Sequence, residues 1–123
     1  MPLDVLIVDD SAAIRKILQR VLRQAEVGVR EVYEASDGLE ALETLKKHKV
    51  HLVLADVNMP NMNGMQLLAH LKSTAEWQQL PVIMVTTEGS QSKVMEAVQL
   101  GAAGYIRKPF SAEQIKDKVS SLF

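Results

Sequence analysis

Four apolar residues run directly into two acidic ones in the segment Val5-Leu6-Ile7-Val8-Asp9-Asp10-Ser11. A continuous apolar run of this length, rich in β-branched side chains, is typical of a strand that is buried on both faces. Apolar residues then recur at helical spacing from Ile14 to Ala25, and Ser11 is a suitable N-cap for that helix. The segment therefore predicts a buried strand, an acidic strand end and an amphipathic helix.

The same alternation of strand and helix repeats along the rest of the chain. Strands are predicted at 5–8, 29–35, 52–55, 81–85 and 104–107, and each is followed by an amphipathic segment of helical spacing. Strands that are nearly continuously apolar and alternate with helices form a parallel sheet that helices cover on both faces. With 123 residues, the chain predicts one doubly wound α/β domain over residues 1–123.

Composition excludes several classes of function. The chain has 14 Lys and Arg against 15 Asp and Glu, and no cysteine, so disulfides, thiolate metal sites and thiol nucleophiles are excluded. A nucleic-acid surface is not expected because it needs clustered positive charge. No apolar run is long enough for a signal peptide or a membrane span. We therefore expect a cytoplasmic protein whose partners are proteins or small molecules.

Most of the predicted strands end in a polar side chain suited to binding a phosphate or a metal ion. Asp9 and Asp10 follow the first strand, Asp56 the third, Thr86 the fourth and Lys108 the fifth. In open α/β sheets, ligands bind at the carboxyl ends of the strands. These side chains are therefore expected to converge at one edge of the sheet.

The convergent residue types indicate a metal-assisted phosphoryl chemistry. Three neighbouring carboxylates repel one another unless a cation holds them, and Mg²⁺ prefers such oxygen ligands. Lysine and threonine suit the oxygens of a phosphoryl group. A carboxylate can also act as a nucleophile and form an aspartyl phosphate. Asp56, alone at the tip of its strand, is the best candidate for that role.

Four segments carry a resemblance to the receiver domain of two-component response regulators. They are Leu6-Ile7-Val8-Asp9-Asp10-Ser11, Asp56-Val57-Asn58-Met59-Pro60-Asn61-Met62-Asn63-Gly64, Val85-Thr86 and Lys108-Pro109-Phe110. The resemblance covers essentially the whole chain in the right order and spacing. It implies the flavodoxin-like strand order 2-1-3-4-5, whereas the alternation alone gives only a parallel α/β class. It also implies a cis peptide bond between Lys108 and Pro109.

The resemblance also implies roles for the strand-end residues. By this resemblance, Asp56 would accept a phosphoryl group from the phosphohistidine of a histidine kinase. Asp9, Asp10, Asp56 and the backbone carbonyl of Asn58 would hold Mg²⁺, while Thr86 and Lys108 would contact the phosphoryl oxygens. Such a domain assists its own phosphotransfer and autodephosphorylation but is a signalling domain, not a classical enzyme.

Further residues match the switch and tuning positions of the family. Tyr105 matches an aromatic that moves with Thr86 and remodels a protein-binding surface. Polar residues at the positions of Asn58 and Glu88 are associated in the family with rapid loss of the phosphoryl group. Two residues depart from the pattern of chemotaxis members: Val57 stands where some have a larger aromatic, and Thr87 where alanine is frequent.

These features favour a single-domain chemotaxis regulator. The sequence ends at Phe123, so no output domain is expected, and the monomeric domain would act on another protein such as a component of the flagellar motor switch. A phosphatase is a further possible partner. Two alternatives of the same fold remain open: an intermediate receiver of a phosphorelay, and a pseudo-receiver that binds its partner without phosphate.

Two other classes fit the sequence less well. A flavodoxin-like module that binds FMN or a nucleotide lacks support, because the chain has no G-x-G-x-x-G or Walker A segment and only 4% aromatic residues. A phosphatase of the haloacid-dehalogenase type needs an Asp-x-Asp after its first strand. The residues Asp9-Asp10-Ser11 do not supply it.

Overall fold

Five strands and five helices alternate along the chain in a computed structural model that describes residues 2–123. The strands are β1 (Leu3–Val8), β2 (Val29–Ala35), β3 (Leu52–Ala55), β4 (Val82–Thr86) and β5 (Gly104–Arg107). The helices are α1 (Ala12–Gln24), α2 (Gly38–Lys47), α3 (Gly64–Lys72), α4 (Gln91–Gln99) and α5 (Ala112–Leu122).

All strand pairs are parallel, and the sheet has the order β2-β1-β3-β4-β5. The flavodoxin-like architecture expected from the resemblance is therefore confirmed. The order places β3 at the centre, with the ends of β1 and β4 on either side of it. Because β1 pairs with β3 through Val8 and Ala55, the residues that follow these two strands begin side by side.

Element boundaries differ from the sequence predictions in β1, β4 and α1. Strand β1 begins at Leu3, where its pairing with β2 shifts register. Pro81 lies outside β4, since proline has no N–H for the ladder; its carbonyl accepts a hydrogen bond from the Val53 N–H. Strand β4 extends to Thr86, and helix α1 ends at Gln24, one residue before Ala25 at the end of the helical pattern.

Buried apolar side chains form one cluster on each face of the sheet. Alternate residues of β1 point to opposite faces: Leu6 packs with buried side chains of α2 and α3, whereas Ile7 packs with those of α1 and α5. Strands β1, β3 and β4 are buried along their whole length, as their apolar runs predict, and the burial includes the polar residues Asp4 and Thr86. The buried strands leave the carboxyl edge of the sheet as the place where polar side chains collect.

Each helix begins with a side-chain cap. In every case the cap residue accepts a hydrogen bond from the backbone N–H three residues later. The caps are Ser11, Asp37, Asn63, Ser90 and Ser111. Such caps stabilise a helix by about 1 kcal/mol and fix where its first turn lies. None of the helices in residues 2–123 combines the length and apolar character required to traverse a bilayer.

Candidate functional site

Three carboxylates meet at the carboxyl edge of the sheet. Asp9, Asp10 and Asp56 each offer an oxygen atom, and these atoms all lie within 4.8 Å of one another. Asp9 and Asp56 are buried, while Asp10 is exposed. The convergence follows from the register, because Asp9 and Asp56 directly follow the paired residues Val8 and Ala55.

Lys108 brings a positive charge into this cluster. Its ammonium nitrogen lies 2.7 Å from Asp9 Oδ2 and 3.2 Å from Asp56 Oδ2. Burial lowers the pKa of Lys108, but the hydrogen bond to Asp9 and the charges of Asp56 and Asp9 outweigh it, so the net shift is upward. Lys108 is therefore charged at neutral pH. The Lys108–Pro109 peptide bond is cis, as the resemblance implied.

The acidic cluster fits a hard divalent cation. Mg²⁺ takes oxygen ligands and usually keeps several waters, and it is bound by one or two carboxylates in addition to phosphate. The buried Asp9 and Asp56 supply fixed oxygens, and the exposed Asp10 leaves one side of the cluster open to water and phosphate. Asn58 lies exposed in the loop 57–63, which continues directly from Asp56. Its role as a backbone ligand remains a prediction.

The side chain of Asp56 is held on both oxygens. Oδ1 accepts a hydrogen bond of 2.7 Å from the Val57 N–H, and Oδ2 pairs with Lys108. The Gly64 N–H donates to the Val57 carbonyl at 2.9 Å, which closes the base of the loop 57–63. A Cβ atom on Gly64 would overlap the backbone carbonyl of Asp56. Glycine is therefore required for α3 to begin this close to Asp56.

Asp9 is oriented by α1. Its Oδ1 accepts from the Ser11 N–H at 2.9 Å, and its backbone carbonyl accepts from Arg15 Nη1 at 2.6 Å. Arg15 also forms an ion pair with Glu34 of β2. Arg15 was not among the site residues predicted from the sequence. The one sequence feature that could have indicated a role for Arg15 is its position on the first turn of a helix that follows two aspartates.

Thr86, Glu88 and Tyr105 form a second group at the ends of β4 and β5. Thr86 is fully buried, and its Oγ1 accepts from the Glu88 N–H at 3.1 Å. The Tyr105 hydroxyl donates to the Glu88 carbonyl. Burial, followed by the charges of Glu88 and Asp56, raises the pKa of Tyr105. The two residues predicted to switch together are thus connected through one residue of the β4–α4 loop.

Another pair near the site was not predicted. Asp37, the N-cap of α2, accepts a hydrogen bond of 2.8 Å from the side-chain amide of Asn61. No sequence pattern singled out Asp37, and Asn61 was named only within the segment 56–64 that carries the family resemblance. Because the two residues are 24 positions apart, no local pattern connects them.

Comparison with known proteins gives consistent results. The family model described as "Response regulator receiver domain" matches residues 5–120. The chain is 42% identical to chemotaxis protein CheY-3 of Vibrio cholerae over 119 residues, which cover 97% of this chain and 90% of that protein. It is 38% identical to chemotaxis protein CheY of Pseudomonas aeruginosa, with coverage of 97% and 94%. The solved structure of CheY4 of Vibrio cholerae superposes with a TM-score of 0.88 at 34% identity over 100% of both chains.

Proposed function

Since the chain belongs to the response regulator receiver domain family, we propose that it accepts a phosphoryl group on Asp56 from the phosphohistidine of a histidine kinase. The observation that supports this most strongly is the grouping of Asp9, Asp10 and Asp56 within 4.8 Å, with Lys108 against two of them. A carboxylate nucleophile, a set of metal ligands and a fixed positive charge are the parts that phosphoryl transfer requires.

In the proposed transfer, an oxygen of Asp56 forms a bond to phosphorus while the phosphorus–nitrogen bond of the phosphohistidine breaks. The electron pair of that bond stays on the ring nitrogen, and the imidazole leaves as a neutral ring when its other nitrogen already carries a proton. Asp9, Asp10, Asp56 and the backbone carbonyl of Asn58 are the proposed ligands of Mg²⁺, which supplies charge neutralisation when bound. Lys108 then pairs with one phosphoryl oxygen as a point charge.

Thr86 is suited to bind another phosphoryl oxygen. Its Oγ1 accepts a hydrogen bond from Glu88 in this structure, so the hydroxyl proton is free to be donated. A shift of Thr86 toward the phosphoryl group would lengthen the bond to Glu88, whose carbonyl holds the Tyr105 hydroxyl. Phosphorylation of Asp56 would in this way change the position of the Tyr105 ring.

The proposed output is the protein-binding surface around α4 and β5. Met95 and Val98 of α4 are exposed by 50% and 58%, so this helix presents large apolar side chains to a partner. The two curated relatives are chemotaxis proteins, and we propose that the partner is a component of the flagellar motor switch.

Asn58 and Glu88 would tune the loss of the phosphoryl group, with or without a phosphatase. We place this monomeric signalling domain in the cytoplasm.

The proposal is tested by incubating the protein with acetyl phosphate and reading its intact mass. The expected result is a gain of one phosphoryl group that requires Mg²⁺ and is absent in Asp56→Asn. Asp117→Asn, which removes an exposed carboxylate of α5, serves as the matched control and should be labelled like the wild type. A protein that binds Mg²⁺ but gains no phosphoryl group would contradict the proposal and favour a phosphate-independent interaction module.

A further inference from the structure

The carboxylate of Asp37 makes two different contacts with its two oxygens. Oδ1 accepts a hydrogen bond of 2.9 Å from the Glu40 N–H and so caps α2. Oδ2 accepts the 2.8 Å bond from the side-chain amide of Asn61. Asp37 is only 6% exposed, and the hydrogen bond from Asn61 is the largest of the contacts that lower its pKa. The helix cap therefore also binds the loop that follows the proposed phosphoacceptor.

A second contact joins the same two segments. The Gly38 N–H donates to the Met62 carbonyl at 2.9 Å, and a Cβ on Gly38 would overlap the Met62 side chain. Asn61 has a φ of 65°, a left-handed conformation that asparagine adopts more readily than most residues. The tip of the loop 57–63 is thus held against the start of α2 by one side-chain and one backbone hydrogen bond.

The loop is fixed at its base as well, by the hydrogen bond from the Gly64 N–H to the Val57 carbonyl. Asn58 lies between these two attachments. Among residues 2–123, no hydrogen bond involves the backbone or the side chain of Asn58. Its placement therefore depends on how the ends of its loop are held.

We propose that Asp37 and Asn61 are a positioning pair for the Mg²⁺ site: their hydrogen bond fixes the loop that carries Asn58. The inference rests on the proposed function, in which the Asn58 carbonyl is a metal ligand. Neither Asp37 nor Asn61 contacts the metal. They act through the loop, as the outer residues around a metal site orient the ligands themselves.

The test exchanges the two side chains and measures Mg²⁺ affinity by titration calorimetry on the unphosphorylated full chain. Asp37→Asn places two amides face to face, and Asn61→Asp places two carboxylates face to face. Each single variant should bind Mg²⁺ about tenfold more weakly, the lower end of the range for residues that orient metal ligands. The double variant restores the hydrogen bond with donor and acceptor exchanged, and it should bind within twofold of the wild type.

The charge changes of the two single variants separate positioning from simple electrostatics. Asp37→Asn removes a negative charge and Asn61→Asp adds one, so a purely electrostatic effect would move Mg²⁺ affinity in opposite directions. A positioning effect weakens binding in both. The double variant has the net charge of the wild type, so the discriminating result is the weaker binding of Asn61→Asp, which an added negative charge alone cannot produce.

A further variant separates positioning from the stability of α2. Asp37→Ser retains an N-cap but has a single side-chain oxygen, which the cap uses. Asp37→Ser should therefore unfold near the wild-type urea concentration and still bind Mg²⁺ about tenfold more weakly. Single variants with wild-type affinity, or a double variant as weak as the singles, would overturn the inference. Failure of the wild type to bind Mg²⁺ would instead overturn the proposed function on which it rests.

Discussion

The ammonium nitrogen of Lys108 lies 2.7 Å from a carboxylate oxygen of Asp9, although the two residues are 99 positions apart in the chain. Their strands are not neighbours, since β3 and β4 lie between β1 and β5 in the sheet. The contact therefore spans the carboxyl edge of the sheet above the end of β3. The ammonium group of Lys108 therefore contacts both Asp9, a proposed metal ligand, and Asp56, the proposed phosphoacceptor.

Replacement of Lys108 by methionine keeps an unbranched side chain, one atom shorter than that of lysine, and removes its charge. We expect Asp56 still to be phosphorylated by acetyl phosphate, but more slowly by on the order of a hundredfold, because one charge that stabilises the transferred group is lost. In this variant, phosphorylation of Asp56 should no longer change the environment of Tyr105. Tyrosine fluorescence measures that change. Lys116→Met, on the exposed side of α5, is the control and should react at the wild-type rate. Phosphorylation of Lys108→Met at the wild-type rate would show that Lys108 does not stabilise the transferred group.

Substitution of Gly64 by alanine tests the close approach of α3 to Asp56. The new Cβ would overlap backbone atoms of Asp56, which cannot move without displacing β3. We expect the free energy of unfolding to fall by about 1–3 kcal/mol, the usual cost of overpacking, and Mg²⁺ binding to weaken. Gly89→Ala is the comparison, because the three atoms nearest to its Cβ belong to the flexible side chain of Arg107 and not to the backbone. Equal urea midpoints for the two variants would contradict this explanation.

Removal of the Tyr105 hydroxyl tests the connection through Glu88. Tyr105→Phe loses the hydrogen bond to the Glu88 carbonyl, which is expected to contribute about 0.5–1.5 kcal/mol. Amide exchange of residues 87–90 should therefore be faster by about two- to tenfold, while phosphorylation continues at the wild-type rate. Tyr33→Phe is the control, because the Tyr33 ring stacks on His48 in another part of the fold. Unchanged exchange in Tyr105→Phe would show that the hydroxyl does not hold the loop.

Acid sensitivity is predicted for the pair Asp4 and Arg30, at the start of β1 and β2. The hydrogen bonds from Arg30, of 3.0 and 2.6 Å, lower the pKa of Asp4 below its ordinary value of 3.8. Because the folded-state pKa is the lower one, the stabilisation is complete above pH 3.8 and is lost as the pH falls through the folded-state value. Asp4→Asn should therefore be less stable than the wild type at pH 7 in urea unfolding.

The difference between Asp4→Asn and the wild type should shrink as the pH is lowered from 7 toward 2, because protonation removes the same interaction from the wild type. Arg30→Gln should behave in the same way, since it removes the other partner. A stability difference that stays constant over this range would exclude the ion pair as its source.

Sequence patterns were sufficient for the elements and for the convergence of the strand-end side chains. Continuous apolar runs identified the buried strands, because a parallel strand that is covered on both faces has no solvent-exposed side that would carry polar residues. The strand-end residues Asp9, Asp56 and Lys108 could be grouped because parallel strands present their carboxyl ends at one edge. Alternation does not determine which strands are neighbours, so the order 2-1-3-4-5 came from the family resemblance.

Contacts between residues of different loops were not predictable in the same way. The bond between Asp37 and Asn61 depends on the relative placement of α2 and the loop 57–63, which no periodicity encodes. The requirement for glycine at position 64 likewise depends on the distance between α3 and the end of β3. Both features arise from packing of segments that are distant in sequence.

The most direct test of the proposed function is to locate the phosphoryl group in the wild-type protein. After incubation with acetyl phosphate and Mg²⁺, borohydride reduction converts an aspartyl phosphate to homoserine, and peptide mass spectrometry then identifies the modified residue. We predict modification at Asp56 alone, with Asp9 and Asp10 unchanged. Modification at another residue, or at none under conditions in which Mg²⁺ binds, would contradict the assignment of Asp56 as the phosphoacceptor.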